Sequence, residues 1–344
     1  MGDVAALSIP FALRRPWLMM SQWLTNRDEP DLDRLRAMDD PERFVWAILP
    51  HAARTFASCI ALLPADKARA AAVGYLYCRA LDTYEDLAPE PGPLLDAFGE
   101  RFGADPLGPA PKLAEPKIQD KRDHAHLLLV ECIDRVDAVY ARLTQAQRES
   151  ITRCVQAMAS GMKDGSGDVL AYCRTVLGYP VVFALELLLD RRLTADERET
   201  AMRVSEMVQL ANITRDIEKD HSRGVIYDAR LAGTPDEATI REVRTDFMWM
   251  ALERAPDYGG MLAMLRKPWF RLGRASALLM LLYTSRYYDA CARRLGYDGW
   301  SAPRSTAGFF VRVFPAAFSH RYAMRSAGQV ERVIGDFMSR TRPA

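Results

Sequence analysis

No convincing run in the 344-residue sequence alternates apolar and polar residues with period two, which argues against half-buried strands. There is no C-x-x-C pair: Cys59, Cys78, Cys132, Cys154, Cys173 and Cys291 stand apart, mostly inside apolar stretches, as buried free thiols would. Charge of one sign is not in excess, with 46 Lys plus Arg against 45 Asp plus Glu. No basic field therefore points to nucleic acid as a partner, and no acidic surplus points to disorder. Long hydrophobic runs are missing too. Val181–Leu189, broken by Glu186, and Ala275–Tyr283 fall short of the roughly 20 residues that span a bilayer. The first residues show no basic region, apolar core and cleavage site in series, so a cytoplasmic location is expected. Phe11–Leu24, with Arg14, Arg15, Trp17 and Trp23, has the composition of a segment lying on a membrane surface, giving peripheral association. A tail packed on the domain is the competing reading.

Proline is absent from Lys117 to Tyr179 and again from Val181 to Thr234, and both stretches carry apolar residues at three- and four-residue spacing. Seven of the 20 prolines crowd between Pro89 and Pro116, among Gly92, Gly99, Gly103 and Gly108, which predicts a loop or mobile insertion. The remaining pattern predicts helix after helix, at about Pro41–Leu63, Ala65–Leu87, Arg122–Leu143, Gln145–Lys163, Asp168–Arg191, Ala195–His221, Glu237–Arg254 and Phe270–Leu295. The expected fold is all-α in a single domain. Residues 1–40 form an N-terminal extension, 41–300 the helical domain with 88–120 as the insertion, and 301–344 a C-terminal helical tail.

Two of these helices carry matching polar stripes. Tyr75, Arg79, Asp82 and Asp86 recur at four, three and four residues, and Gln209, Asn212, Asp216 and Asp220 at three, four and four. At about 100° per residue each set lies on one face. Each stripe ends in two aspartates one turn apart, near a helix end marked by Pro89 or Gly224. Like charges at that spacing repel by a few tenths of a kcal/mol, and carboxylates at a helix C-terminus oppose its dipole by roughly 0.3–1 kcal/mol each. A divalent cation reverses both penalties. Magnesium takes one or two carboxylates and completes its shell with water and substrate phosphate oxygens. One D-x-x-x-D is usually a solvated face. Two, on helices whose other faces are apolar (Val73, Leu76, Leu81; Met207, Leu210, Ile217), point to diphosphate bound through magnesium. His124 and His126, with no third ligand nearby in sequence, do not make a metal site.

Gly74-Tyr-Leu-Tyr-Cys-Arg-Ala-Leu-Asp-Thr-Tyr-Glu-Asp86 resembles the first aspartate-rich motif of squalene synthases, and Gln209-Leu-Ala-Asn-Ile-Thr-Arg-Asp-Ile-Glu-Lys-Asp220 resembles the second. Leu49-Pro-His-Ala-Ala-Arg-Thr-Phe56 is similar to the S-R-[ST]-F segment, and Tyr172-Cys-Arg-Thr-Val-Leu-Gly178 to Y-C-x-x-V-A-G. In this order and spacing, they resemble the squalene and phytoene synthase family over roughly Pro41 to Leu295.

The resemblance implies an all-α isoprenoid synthase-type bundle with a central cavity and an apolar tunnel. It implies prenyl diphosphate substrates, farnesyl diphosphate first among them, joined head to head through a cyclopropyl diphosphate. It makes Asp82, Asp86, Asp216 and Asp220 magnesium ligands supported by Gln209 and Asn212, with Arg54, Arg79 and Arg215 on diphosphate oxygens. Arg215 points away from the ideal stripe. Tyr75 and Tyr172 match tyrosines at the reacting carbons, Tyr172 handling the proton, while Phe56, Val176, Leu177 and Val181 meet the prenyl chain. Hydride from NADPH would give squalene; proton loss would give phytoene or dehydrosqualene; stopping early would give presqualene diphosphate. The departures are Ala53 for the serine, Lys219 for a glutamate, Arg223-Gly-Val-Ile-Tyr227 without its second arginine, and Val176-Leu-Gly-Tyr-Pro-Val181 for V-A-G-x-V-G. Larger residues in that last segment bear on substrate length. Rival classes are a head-to-tail prenyltransferase or terpene cyclase, which usually carries D-D-x-x-D, and a non-catalytic assembly protein of the same fold, which tends to lose the aspartates.

Overall fold

A computed structural model describes residues 30–53, 55–104, 106–163, 168–268, 271–302 and 306–341. Phe11–Leu24 and Arg54, both singled out above, lie outside the described residues. Helices and their connections make up the described chain, with no strand among the described residues, as the all-α reading requires. The chain forms two compact units that meet in sequence at Arg148 and Glu149.

The first unit holds α1 (Leu32–Arg36), α2 (Pro41–Ala53), α3 (Thr55–Ala61), α4 (Ala65–Leu87), α5 (Pro91–Glu100), α6 (Asp123–Glu131) and α7 (Ile133–Tyr140). Its axis is α4, whose alanine-rich first half favours helix. Val73, Leu76 and Leu81 of α4 are fully buried, against α2 and the helices after it. Helix α4 stops where Ala88 turns extended ahead of Pro89.

The segment expected as a loop or mobile insertion instead contains α5 and belongs to the core. Pro91 stands in the first turn of α5, where a missing N–H costs nothing. Phe98 and Phe102 pack edge-on against Tyr77 of α4, with ring centroids 6.1 and 5.0 Å apart. The stretch beyond is tied down as well: the Tyr84 hydroxyl donates to the Pro111 carbonyl at 2.7 Å, and Arg101 Nε donates to Gly108 at 2.9 Å. Buried Arg101 also pairs with Asp137, which accepts the Tyr77 hydroxyl at 2.7 Å.

The second unit begins within α8 (Gln145–Lys163). It continues through α9 (Val169–Cys173), a π turn at Arg174–Gly178, α10 (Tyr179–Leu189), α11 (Ala195–Ser222), α12 (Glu237–Leu252), α13 (Asp257–Met264), α14 (Leu272–Arg294), α15 (Thr306–Phe318) and α16 (His320–Thr341). Helix α11 is its axis. Thr194 and Glu197 close a capping box at its start, and Gly224, at φ +83°, turns the chain away at its end. Glu206 of α11, 1% exposed, pairs with Arg254 and accepts from Arg174 Nε at 2.5 Å, while the Tyr288 hydroxyl donates to the Met207 carbonyl at 2.6 Å.

From Val169 to Leu189 the helical run is 21 residues, long and apolar enough by length and composition to cross a membrane, which the sequence reading had not allowed. Half of it is buried, and it packs along α11 as a core helix does. Its π turn sits four residues before the helix would need an amide at Pro180, which has none to give; widening the turn accommodates the missing bond.

Candidate active site

On α4, Tyr75, Arg79 and Asp82 make one continuous chain of contacts. Arg79 donates to the Tyr75 hydroxyl at 3.0 Å and pairs with Asp82 Oδ2 at 3.2 Å, and Phe56 of α3 stacks on the Tyr75 ring with centroids 5.2 Å apart. The stripe read from the sequence is therefore a physical face. Arg79 Nε is buried and has no hydrogen-bond acceptor among the described residues. Burial opposes the guanidinium charge, yet Tyr75, Asp82 and Asp86 hold its pKa above the ordinary arginine value. Burial pushes Asp82 up to about 6, with Asp86 adding to the rise and Arg79 only partly countering it. Burial likewise raises Tyr75, against the pull of Arg79. Asp86, one turn further on, is exposed in the last turn of α4, where no basic residue offsets the helix dipole.

On α11 the charges are arranged differently. Asn212 donates to Gln209 Oε1 at 3.3 Å. Arg215, expected off the stripe, folds back onto it: Nε and an Nη donate to the two Asp216 oxygens at 2.8 and 2.5 Å. Its guanidinium carbon lies 5.3 Å from the centre of the Tyr287 ring on α14. The hydrogen bond to Asp216 raises the Arg215 pKa. The Asp220 carbonyl accepts from Arg223 and Val225 as the helix ends. In the same unit, Tyr172 lies against Tyr227, ring centroids 5.4 Å apart.

Val176 and Leu177 are buried within the π turn and Val181 is half-buried after it. Gly178 permits a close approach to α11: a Cβ there would lie 2.3 Å from Met202 Sδ. A cavity of about 220 Å³ is lined by Tyr179, Val182 and Phe183 rather than by these three residues. A larger one, about 630 Å³, lies among Leu278, Leu282, Trp300 and Val330 and likewise touches no residue expected at the site.

No group of three or more His, Cys, Asp or Glu is gathered for a metal among the described residues. Each aspartate pair offers hard oxygen donors of the type magnesium takes, leaving most of a six-coordinate shell to water and phosphate oxygens. The buried Arg79 Nε–H, lacking an acceptor, fits an anionic oxygen as the missing partner. Sequence reasoning did not single out Tyr227 or Tyr287. Tyr227 ends the Arg223–Tyr227 segment and Tyr287 falls in an aromatic run on α14, so the only signal was an aromatic residue near a motif.

The described chain is all-helical and carries two helix faces on each of which an arginine is set against an aspartate. The sequence profile of squalene/phytoene synthases matches residues 49–227, and the chain belongs to that family of prenyl-transferring synthases. It is 28% identical over 204 residues to squalene synthase BSS of Botryococcus braunii, a match covering 54% of this chain and 42% of that one. It is 27% identical over 206 residues to lycopaoctaene synthase of the same organism, covering 55% and 44%. The matched region thus spans less than half the length of these curated relatives. Two ligand complexes of TcSQS share the fold: one has a TM-score of 0.70 at 21% identity over 89% of this chain and 94% of that one, the other 0.66 at 20% over 88% and 97%.

Proposed function

We propose that this protein condenses two prenyl diphosphates head to head, farnesyl diphosphate being the first substrate to test. The carrying observation is the Tyr75–Arg79–Asp82 chain, in which a buried guanidinium N–H has no acceptor among the described residues and lies beside a desolvated carboxylate. That arrangement is costly for the protein alone and is satisfied by an anion that arrives with a cation.

In this reading Asp82, Asp86, Asp216 and Asp220 would hold magnesium, and Gln209 and Asn212 would orient the second pair. Bound magnesium supplies Lewis-acid stabilisation of the diphosphate leaving group. Arg79 binds diphosphate oxygens through its Nε–H, and Arg215 does so once it leaves Asp216. Arg54, from the segment that resembles S-R-[ST]-F, is assigned the same task. The stacked Phe56 and Tyr75 rings offer π faces to an allylic cation. The Tyr172 hydroxyl is assigned the relay of the proton whose loss closes the cyclopropane, accepting it as its own proton passes to an oxygen of the released diphosphate. Val176, Leu177 and Val181 contact the hydrocarbon and exclude water.

The test is incubation of the purified protein with farnesyl or geranylgeranyl diphosphate and magnesium, with and without NADPH, followed by mass identification of products. Squalene only with NADPH marks the reductive ending, a polyene without it marks proton loss, and presqualene diphosphate alone marks an early stop. Asp216→Asn should lower turnover by at least a hundredfold with helical content unchanged. No condensation with either substrate, or normal turnover in Asp216→Asn, refutes the proposal.

A further inference from the structure

Helix α15 buries one face and presents another that the reaction does not use. Phe309, Val313, Ala316 and Ala317 are at most 1% exposed, whereas Val311 is 76% exposed, Phe314 58% and Phe318 38%. Residues 311, 314 and 318 fall on one side of a helix. Phe314 and Phe318 pack edge to face, centroids 5.3 Å apart, so the outward side is an apolar ridge. Burial of α15 in the fold therefore does not account for its composition.

The surroundings of the ridge are cationic. Arg312, Arg321 and Arg325 are exposed and form no ion pair among the described residues. A second source of charge is fixed beside them by Arg274, which is fully buried. Its guanidinium donates to the carbonyls of Ala316 and Ala317 at 2.8 Å each, and to those of Leu265, Arg266 and Pro268 at 3.1, 2.9 and 3.1 Å. One side chain thus holds the exposed Arg266–Lys267 turn against the C-terminal end of α15. The Tyr322 hydroxyl ties α16 to α15 through the Arg312 carbonyl at 2.8 Å. Arg266, Lys267, Arg312, Arg321 and Arg325 are exposed, and the sequence has no acidic residue from 299 to 330. That imbalance is local, because the whole chain carries a formal net charge of only +1.

We infer that the α15 ridge, flanked by the Arg266–Lys267 turn and the first turns of α16, is a docking surface for an anionic lipid bilayer. Aromatic and aliphatic side chains on a convex ridge enter the headgroup boundary, and arginines beside them meet lipid phosphates. A second copy of the chain is the poorer occupant. The ridge is a few residues wide, against the roughly 800 Å² per partner of a stable interface, and like charges would face each other across it. The surface does not depend on the reaction proposed above, and its test reads binding rather than turnover.

The experiment is flotation of the full-length protein with phosphatidylcholine vesicles and with vesicles of phosphatidylcholine and phosphatidylglycerol in a 7:3 ratio, at low and high salt. The expected result is capture by the anionic vesicles only, weakened at high salt. The Val311→Ser/Phe314→Ser variant should lose at least tenfold in vesicle affinity, and Arg312→Glu/Arg321→Glu should remove the preference for anionic lipid. Both should keep the parent melting temperature and its turnover on detergent-solubilised substrate. Absence of capture by anionic vesicles overturns the inference. So does unchanged capture of Val311→Ser/Phe314→Ser, which would assign any membrane binding to another segment, such as residues 1–29. A parent that is a dimer by light scattering and becomes a non-floating monomer in that variant would assign the ridge to self-association instead.

Discussion

Replacing Asp82 by Asn removes an ionisable group whose charge the fold disfavours, and the size of that penalty sets a measurable pH signature. Burial raises Asp82 from 3.8 to about 6 even though Arg79 is 3.2 Å away. The folded protein therefore binds this proton more tightly than the unfolded chain does. Between those two pH values the folded state holds more protons than the unfolded state, so stability falls as pH rises through the window. Above pH 6 the full penalty is present, about 3 kcal/mol at about 1.36 kcal/mol per pH unit. Below pH 4 the carboxyl is neutral in both states, and Asn is a close substitute for it. Urea unfolding of the parent and Asp82→Asn without magnesium, from pH 4 to 8, should give matched stabilities at the acid end. The variant should gain progressively to about 3 kcal/mol at pH 7 and above. Magnesium with inorganic diphosphate should then stabilise the parent and barely affect the variant, because the ligand binds the folded site alone. A stability difference that does not change with pH, or a variant less stable than the parent at pH 8, would refute the reasoning. The first would mean that Arg79 balances the burial, the second that it outweighs it.

The second pair should respond in its own way. Arg215→Ala releases both oxygens of Asp216, so affinity for magnesium alone, by titration calorimetry, should rise about two- to fivefold, the worth of a half-exposed ion pair of up to about 1 kcal/mol. Weaker magnesium binding in Arg215→Ala would count against competition between the arginine and the cation. Tyr172→Phe keeps the ring against Tyr227 and should retain substrate binding while product formation falls or the cyclopropyl diphosphate accumulates; normal turnover would make the hydroxyl a bystander. Glu206→Gln leaves buried Arg254 without its counter-charge and should cost about 3 kcal/mol in urea unfolding, with no dependence on magnesium.

Much of this was legible in the sequence because helix geometry is strict. Ala65–Leu87 and Gln145–Lys163 run between the boundaries that periodicity and proline placement predict. The apolar faces named for the two aspartate-bearing helices are at most 1% exposed. What was misread had a local chemical reason. Pro91 and Pro93 looked like breakers, yet proline in a first turn starts a helix, and Phe98 and Phe102 then fix α5 to Tyr77. The Asp168–Arg191 span reads as one helix in the sequence, and in the structure it widens to a π turn at Arg174–Gly178, just ahead of Pro180.

The deeper limit is that spacing reports which side of a helix a residue occupies, and not which neighbour its charge is committed to. The two stripes look alike as letters. In three dimensions Arg79 pairs with Asp82 at 3.2 Å and keeps a buried N–H without an acceptor among the described residues, while Arg215 takes both oxygens of Asp216. The first face therefore carries an electrostatic deficit that a ligand can relieve, and the second carries a pair that a ligand must first open. Relieving a deficit strengthens binding, and opening a pair weakens it. Asp82→Asn removes a donor and should weaken magnesium binding, whereas Arg215→Ala frees both oxygens of Asp216 and should strengthen it.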